Sequence, residues 1–335
     1  MRAYLLNRYG GPGAATLAER PVPEPASGQL RIRVHAAGLN PVDYKTRDGK
    51  LRAIYRYPLP QILGSELAGE VDAIGADVAG FNIGQRVYVR VRKEQLGAFA
   101  DYACVDAAVV AAMPSSLDFV HAAAVPLAAL TALQCLRDEL QVSAGMKLLI
   151  TGGAGGVGSF AIPLAKWLGA EVTTTASPRG EALVRELGTD HVIDYTQAKI
   201  SDGGRRFDAA LDLVGAGSLW ACFGAVRRGG RIVSIAGAPE PRTAWIDLQR
   251  NLPLSVLFVA TGAPLLLRGL LGGVGYRYKF MHADRADLVL LAGLIDEGRL
   301  RVQLDRVFPF DQIDAAFTHL EAGHAKGKVV VQMMA

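Results

Sequence analysis

Cysteine is scarce in this chain. Its 335 residues hold three, Cys104, Cys135 and Cys222, far apart in sequence. Three isolated cysteines build neither a disulfide framework nor a four-cysteine zinc site, and they point to a reducing compartment, taken here as the cytoplasm. An excess of one charge is missing too. The 36 basic and 32 acidic residues leave a net charge of +4, too balanced for a nucleic-acid protein, and the basic residues form no stripe. Arg90, Arg92 and Lys93 cluster locally, as do Arg205 and Arg206; both groups read as solvated loop charges. Long apolar runs are also lacking. The N-terminus, MRAYLLNRYGGPG, has no apolar core of signal-peptide length. The strongest apolar run, Leu252 to Leu267, contains Pro253 and Pro264 and falls short of the roughly 20 residues of a membrane span. It reads as a buried strand followed by a loop. Secretion and membrane insertion are therefore disfavoured.

What is present is core material. Half the residues are hydrophobic and 20% are charged, which excludes disorder. At about 150 residues per domain the length suggests two domains. The first 110 residues read as short strands between turns: Leu30 to Leu39, Gly69 to Gly75, Gln85 to Val91 and Asp101 to Met113, with Gly or Pro between them. Such spacing predicts a barrel-like β domain. The texture changes near Pro114, and Phe119 to Leu140 carries helical spacing. Then strands alternate with helices: KLLIT, a helix from Val157 to Gly169, EVTTTAS, a helix from Gly180 to Gly188, HVIDY, FDAALDLVG and GRIVSIAG. That alternation predicts an α/β fold with a parallel sheet covered on both faces. The tail reads as helix (Asp284 to Glu297), strand (Val302 to Phe310), helix (Asp311 to Ala322) and strand (Lys328 to Met333), and is expected to pack back onto the first domain.

The stretch ITGGAGGVGSFAIPLAKWLGA carries the most chemistry. Gly153, Gly155 and Gly158 satisfy G-x-G-x-x-G between a strand and a helix, the Rossmann dinucleotide-binding context. Backbone N–H groups and the helix N-terminus there suit a pyrophosphate. Five glycines among seven positions (Gly152, Gly153, Gly155, Gly156, Gly158) cost chain entropy and are read as bringing no packing return. The second strand ends in Thr175, Ala176, Ser177, Pro178 and Arg179. No carboxylate stands there to hold a ribose 2′-hydroxyl or repel a 2′-phosphate. Ser177 can donate to such a phosphate and Arg179 can pair with it, although Arg179 also reads as a surface arginine at a helix start. The expected cofactor is NADPH.

The order of these parts resembles the medium-chain dehydrogenase/reductase superfamily over nearly the whole chain. AAGLNPVDYKTRDG (Ala36 to Gly49) is similar to its first active-site loop. PQILGSELAGEV (Pro60 to Val71) is similar to the segment that reads glycine-histidine-glutamate in zinc members. The resemblance implies a GroES-like β-barrel-type domain over 1–118, a Rossmann doubly wound parallel sheet over 119–262, and a return segment over 263–335. Zinc members place ligands where this chain has Asn40 and Ser65, both poor donors for Zn²⁺. The six histidines (His35, His121, His191, His282, His319, His324) show no ligand spacing, so no metal is expected. The zinc-free branch with asparagine at this position resembles the NADPH:quinone oxidoreductases, zeta-crystallin among them. NPVDYKTRDG, LGTDHVIDY and above all YRYKF look closest to the subgroup of the chloroplast-envelope quinone oxidoreductase homologue and the mitochondrial reticulon-interacting oxidoreductase. It implies reduction of quinones or activated enones with NADPH.

Carried over, the resemblance assigns Ala154, Gly156 and Val157 to the diphosphate turn, beside Gly155 of the glycine motif, and Ser177 to the 2′-phosphate, where the residues themselves add Arg179. It assigns Tyr195 to the adenine end and Ile235 to the nicotinamide-side wall. Lys279, Phe280 and Met281 are assigned to a segment folding over the nicotinamide, with Asn40 and Thr131 as further neighbours. For the oxyanion donor, Asn40, Tyr44 and Lys45 are candidates that Asp43 can orient; Lys45 also reads as a surface lysine or as a partner of Asp43. Two alternatives stay open. One is an enoyl-thioester (enoyl-CoA or ACP) reductase with a basic mouth from Arg52, Arg56, Arg90 and Arg92. The other is a non-catalytic NADPH-binding protein. A homodimer is expected, with the edge strand near Leu254 to Ala260 meeting its copy.

Overall fold

The computed structural model describes residues 1–248 and 252–333. The chain forms two compact units, Met1–Leu130 with His282–Ala335, and Thr131–Met281.

The first unit is built on one long strand, Gln29–Leu39, whose residues alternate between buried and half-exposed along most of its length, as a strand with one face on a core must. Glu66–Ile74 pairs antiparallel along one edge. The other edge is shared by Tyr102–Asp106 at the start and Lys328–Gln332 at the end. The sheet runs Leu304–Pro309, Lys328–Gln332, Gln29–Leu39, Glu66–Ile74, Arg86–Arg90, Val110–Ala112. The tail thus supplies two strands of the first unit, as its expected return requires. A smaller sheet joins Arg2–Leu6 to Ala15–Glu19 and Gln61–Ile62. The core between them holds Tyr4, Phe99 and Phe317, with Phe317 stacked on Tyr4 at 5.7 Å and edge-on to Phe99 at 5.9 Å. The stretch Asp101 to Met113 is two strands, because Asp106 caps a single turn, Ala107–Val109, that breaks it.

The second unit is a six-stranded parallel sheet. Its order is His191–Asp194, Glu171–Ala176, Lys147–Ile150, Phe207–Asp212, Val226–Ser234, Gly275–Tyr278. From Lys147–Ile150 the chain builds outward to one side and then returns to build the other. The crevice at the carboxyl ends of Lys147–Ile150 and Phe207–Asp212 is therefore the switch point where such sheets bind ligands.

Two expectations need correction. The unit boundaries fall at 130/131 and 281/282 rather than 118/119 and 262/263. The helix Phe119–Ala123 packs on the first unit's strands Gln29–Leu39 and Glu66–Ile74, and Gly275–Tyr278 is the sixth strand of the parallel sheet. The apolar run at Leu252 is no strand and loop but a 21-residue α-helix, Leu252–Gly272. Pro253 sits in its first turn, where a missing N–H costs nothing, and Pro264 is tolerated inside it. A run apolar on every side carries no period to separate helix from strand. By length and composition alone this helix, unlike any other among the described residues, could cross a membrane, and only 28% of its most apolar stretch is buried. The strand at the sheet's edge is Gly275–Tyr278.

Candidate cofactor site and catalytic loop

In the second unit the turn after Lys147–Ile150 leads into the helix Gly158–Trp167. The Gly152 N–H donates to Thr175 Oγ1 at 2.8 Å and the Gly153 N–H to Thr175 O at 3.2 Å, so the turn is pinned to the second strand. A Cβ on Gly153 would stand 2.1 Å from Thr174 Oγ1, and one on Gly158 would stand 2.5 Å from Gly152 O. These two glycines do have a packing return: they let helix, turn and strand close up. Gly155 is different. A Cβ there meets nothing nearer than Gly152 O at 3.4 Å, so the protein's own packing does not require its glycine.

Ser177 caps the helix Pro178–Glu186 in extended conformation, and its hydroxyl makes no cap hydrogen bond. A Cβ on Gly180 would lie 3.0 Å from the Ala154 Cβ. The diphosphate turn and the Ser177–Arg179 cap therefore abut. Ala176 pairs in register with Asp194, which puts Ser177 and the 60%-exposed Tyr195 one residue beyond neighbouring strand ends. The structure thus brings Ala154, Ser177, Arg179 and Tyr195 to one edge of the sheet.

Toward the switch point, a buried carboxylate ties three strand ends together. Asp212 accepts from Thr151 Oγ1 at 3.0 Å, from Ser234 Oγ at 2.7 Å and from the Gly215 N–H at 3.0 Å. Ser234 Oγ accepts in turn from the Gly237 N–H at 2.8 Å. The loop that begins at the half-buried Ile235 is fixed by this network. Sequence reasoning missed it, although KLLIT, AALD and RIVS each close an apolar strand with one polar residue.

Lys279 is placed differently from a group reaching over a cofactor. Its ammonium is buried, 3.0 Å from Glu139 and 3.7 Å from Asp247. Arg277 joins the same cluster through Glu240 at 2.9 Å and Asp247 at 2.7 Å, and the Phe280 N–H donates to Asp247 at 3.0 Å. Lys279 anchors the Phe280–Met281 segment. Thr131 is buried on the helix Pro126–Gln134.

In the first unit, Asn40 caps the helix Pro41–Arg47, its N–H donating to Asp43 Oδ2 at 2.8 Å. Its side chain is committed twice. Nδ2 donates to Glu66 Oε1 at 2.7 Å, and Oδ1 accepts from Lys328 Nζ at 2.5 Å. Lys328 also donates to Glu66 Oε1 at 2.7 Å and Leu39 O at 3.2 Å, and the Leu127 N–H donates to Glu66 Oε2 at 2.6 Å. Only glycine fits at position 38, where a Cβ would be 2.3 Å from Glu66 Oε1. Ser65 donates to Asp43 Oδ1 at 2.5 Å, and Arg90 donates to Ser65 O at 2.9 Å. Burial pushes the Asp43 carboxyl up to about 6, against the opposing pull of Ser65, the Asn40 N–H and Arg90. Asp43 therefore orients Asn40 and Ser65, not Tyr44 or Lys45, and no ion pair joins it to Lys45. Both of those side chains are half-buried on the helix. Burial lowers the Lys45 ammonium, with help from Lys50, and raises the Tyr44 phenol.

Arg90 corrects the reading of a solvated cluster: it is 3% exposed at the end of its strand, with its Nε unpartnered. Arg92 pairs with Asp106 at 2.6 Å. Among the described residues no three His, Cys, Asp or Glu side chains gather to hold a metal. Asn40 and Ser65 already serve Lys328, Glu66 and Asp43, so this donor set does not fit zinc.

A phosphate turn at the switch point of a doubly wound sheet, in a chain whose other unit is a β-rich fold, defines a nicotinamide-dinucleotide oxidoreductase. The chain belongs to the medium-chain dehydrogenase/reductase superfamily. Residues 26–115 match the alcohol dehydrogenase GroES-like domain and residues 187–331 the family described as zinc-binding dehydrogenase. It is 34% identical to the chloroplastic NADPH-dependent alkenal/one oxidoreductase of Arabidopsis thaliana, over 99% of this chain and 79% of that one. It is 30% identical to the chloroplast envelope quinone oxidoreductase homolog of the same plant, over 99% and 98%. Among solved structures, the quinone oxidoreductase from Coxiella burnetii superposes with a TM-score of 0.86 at 31% identity, covering 100% of this chain and 99% of that one.

Proposed function

We propose that this protein is an NADPH-dependent reductase of quinones or of the C=C bond of α,β-unsaturated carbonyls, working without zinc. The observation that carries the cofactor choice is the contact between the Ala154 turn and the Ser177–Arg179 cap, at a strand end with no carboxylate. The substrate class rests on the alkenal/one and quinone oxidoreductases that the chain resembles over nearly all its length.

The residues fit the cofactor. The turn at Ala154, Gly155, Gly156 and Val157 would hold the diphosphate at the helix start. Ser177 and Arg179 would hold the 2′-phosphate, and Tyr195 would stand at the adenine end. The Asp212–Ser234 network holds the Ile235 loop as the wall beside the nicotinamide. When bound, NADPH supplies the hydride; the chain supplies position, a dry surface and a proton. Lys45 and Tyr44 are the proton and oxyanion donors. Burial that weakens the Lys45 ammonium's hold on its proton makes it the better acid. Asn40 is a positioning residue, since its amide is spoken for by Glu66 and Lys328. The enoyl-thioester alternative needs a cationic mouth; of its four arginines, Arg90 is buried and Arg92 pairs with Asp106, which leaves the exposed Arg52 and Arg56. The protein works as a homodimer, and in the reducing cytoplasm, the compartment in which three free thiols persist.

Titration of NADPH and NADH tests the cofactor. The double variant S177A/R179A should weaken NADPH at least about tenfold, as loss of charge-assisted hydrogen bonds implies, and leave NADH within twofold. A wild type that binds NADH more tightly refutes the assignment. NADPH oxidation against quinones, short enones and enoyl-CoAs tests the substrate class, and a flat response sinks it. Unchanged kcat/KM in K45A removes Lys45 as donor, and stoichiometric zinc in the purified protein removes the zinc-free reading.

A further inference from the structure

Three carboxylates and two cations meet inside the second unit: Glu139, Glu240, Asp247, Arg277 and Lys279. Arg277 is the hub. It is buried on the edge strand Gly275–Tyr278, with Asp247 at 2.7 Å, Glu240 at 2.9 Å and Glu139 at 3.4 Å. Glu240 and Asp247 stand at the two ends of one short helix, Pro241–Ile246, as its N-cap and C-cap. Glu139 ends a π-helical turn, Cys135–Glu139, that continues the helix Pro126–Gln134; such turns recur at functional sites. Burial raises the Glu139 carboxyl, but the Lys279 hydrogen bond and the Arg277 charge outweigh it and hold that group below the usual range. Apolar residues of like volume stabilise an interior as well as a buried ion network does, so stability alone gives no reason for five charges here.

What the cluster joins is specific. Asp247 accepts from the Phe280 N–H at 3.0 Å, and Arg277 and Lys279 lie just before Phe280 on the same segment. The Ile235 loop is held at both ends. Ser234 Oγ accepts from the Gly237 N–H at 2.8 Å, Ala238 O accepts from the Tyr276 hydroxyl at 2.7 Å, and Glu240 closes the loop on Arg277. Thr131 lies on the helical run that ends in Glu139. These are the three segments set beside the nicotinamide in the NADPH reading above, on which the inference rests. We infer that Asp247 and Glu139 are positioning residues for hydride transfer: through Arg277 and Lys279 they hold the Ile235 loop, the Phe280 segment and the Thr131 helix as one frame, and that frame sets the nicotinamide for its acceptor. Both act through the cations they hold, not on the reacting atoms. A shift of about 1 Å in such a frame costs on the order of a hundredfold in rate. The adenine half is held elsewhere. Ser177 follows the strand Glu171–Ala176, which three strands separate from Gly275–Tyr278, so a loosened frame leaves the 2′-phosphate site as it was.

D247N and E139Q test this. Each leaves two carboxylates facing the two cations, so neither strands an excess of buried charge. Titration calorimetry compares NADPH with adenosine 2′,5′-bisphosphate, which keeps the adenine half and its 2′-phosphate and lacks the nicotinamide. D247N should bind the bisphosphate within about twofold of wild type and NADPH about tenfold more weakly, as loss of a charge-assisted hydrogen bond to the frame implies. The fluorescence of the bound reduced nicotinamide should lose about half its gain over free NADPH, because the ring is no longer held. Single-turnover oxidation of saturating NADPH by a quinone should slow at least about tenfold. E139Q should show the same pattern, and it carries the test if D247N does not fold. The binding and fluorescence measurements need no acceptor, so they decide the inference even where the quinone reading fails. If both variants match wild type within about twofold in NADPH affinity and fluorescence, the cluster does not position the nicotinamide and the inference falls. If NADPH and the bisphosphate weaken together, the cluster serves the unit's stability alone and the inference falls as well. A wild type that binds neither sinks the NADPH reading and takes the inference with it.

Discussion

Lys328→Met removes the ammonium beneath the loop that begins at Asn40. Lys328 is 3% exposed and Glu66 fully buried, and their charged atoms stand 2.7 Å apart. The variant leaves the Glu66 carboxylate in the protein interior with only the Asn40 Nδ2 and the Leu127 N–H as donors. Breaking a buried pair from one side costs about 3–5 kcal/mol, because the desolvated charge remains. That is a large part of the roughly 5–15 kcal/mol that holds a native domain. At about 2–4 °C per kcal/mol for a unit of this size, the first transition should drop by about 6–20 °C. Adding Glu66→Gln removes the stranded charge and keeps the shape. The double variant K328M/E66Q then lacks only neutral hydrogen bonds of about 1 kcal/mol each, and should recover at least half the loss. Thermal unfolding by circular dichroism measures both, and NADPH affinity reports separately on the second unit. The reasoning is refuted if K328M stays within about 1 kcal/mol of wild type, or if the second substitution adds to the loss rather than relieving it.

Other outcomes follow from the same geometry. Burial holds the Asp43 carboxyl at about 6, above its unfolded value of about 3.9. The folded state therefore binds this proton more tightly, and the stabilisation is complete below about pH 4 and lost as pH rises through about 6. Asn at position 43 cannot ionise. The stability difference between D43N and wild type should move in the variant's favour by on the order of 3 kcal/mol from pH 4 to 7.5; a difference that ignores pH excludes titration of Asp43. Gly153→Ala drives a Cβ to 2.1 Å from Thr174 Oγ1 and should lower the second unit's melting point by several degrees. Gly155→Ala, with 3.4 Å of room, should melt as wild type does and bind NADPH at least about tenfold more weakly. Equal melting losses in the two variants would show that both glycines serve packing alone.

The cofactor half of the molecule was legible because its signals are local. A strand, a run of glycines and a helix are consecutive, and the strand ending at Ser177 follows within one βαβ unit, so spacing alone relates them. Even there, packing against Thr174 across the sheet explains Gly153 and Gly158, and no neighbour in sequence reveals that. The loop that begins at Asn40 was half legible. NPVD marks a capped helix with Asn40 at its start, but Asn40 is held by Glu66 and Lys328, which are 26 and 288 residues away. No neighbour of Asn40 in sequence announces those two partners. Arg90 failed likewise: a basic residue among basic neighbours looks solvated until the sheet places it beneath Ser65.

Scarce cysteine, balanced charge and the periodicity of strands and helices settled the α/β class, the dinucleotide turn and the absence of a carboxylate at the second strand's end, since each depends on residue type and near spacing. Tertiary structure decided the rest. It returned the tail to the first unit as two strands, tied Asp212 to Thr151 and Ser234, and closed the Glu139–Asp247–Lys279 cluster around the Phe280 segment. It also turned the apolar run at Leu252 into a helix with one side buried and the other open. A run apolar on every side says only that it avoids water. Which side finds cover is decided by what the fold sets against it.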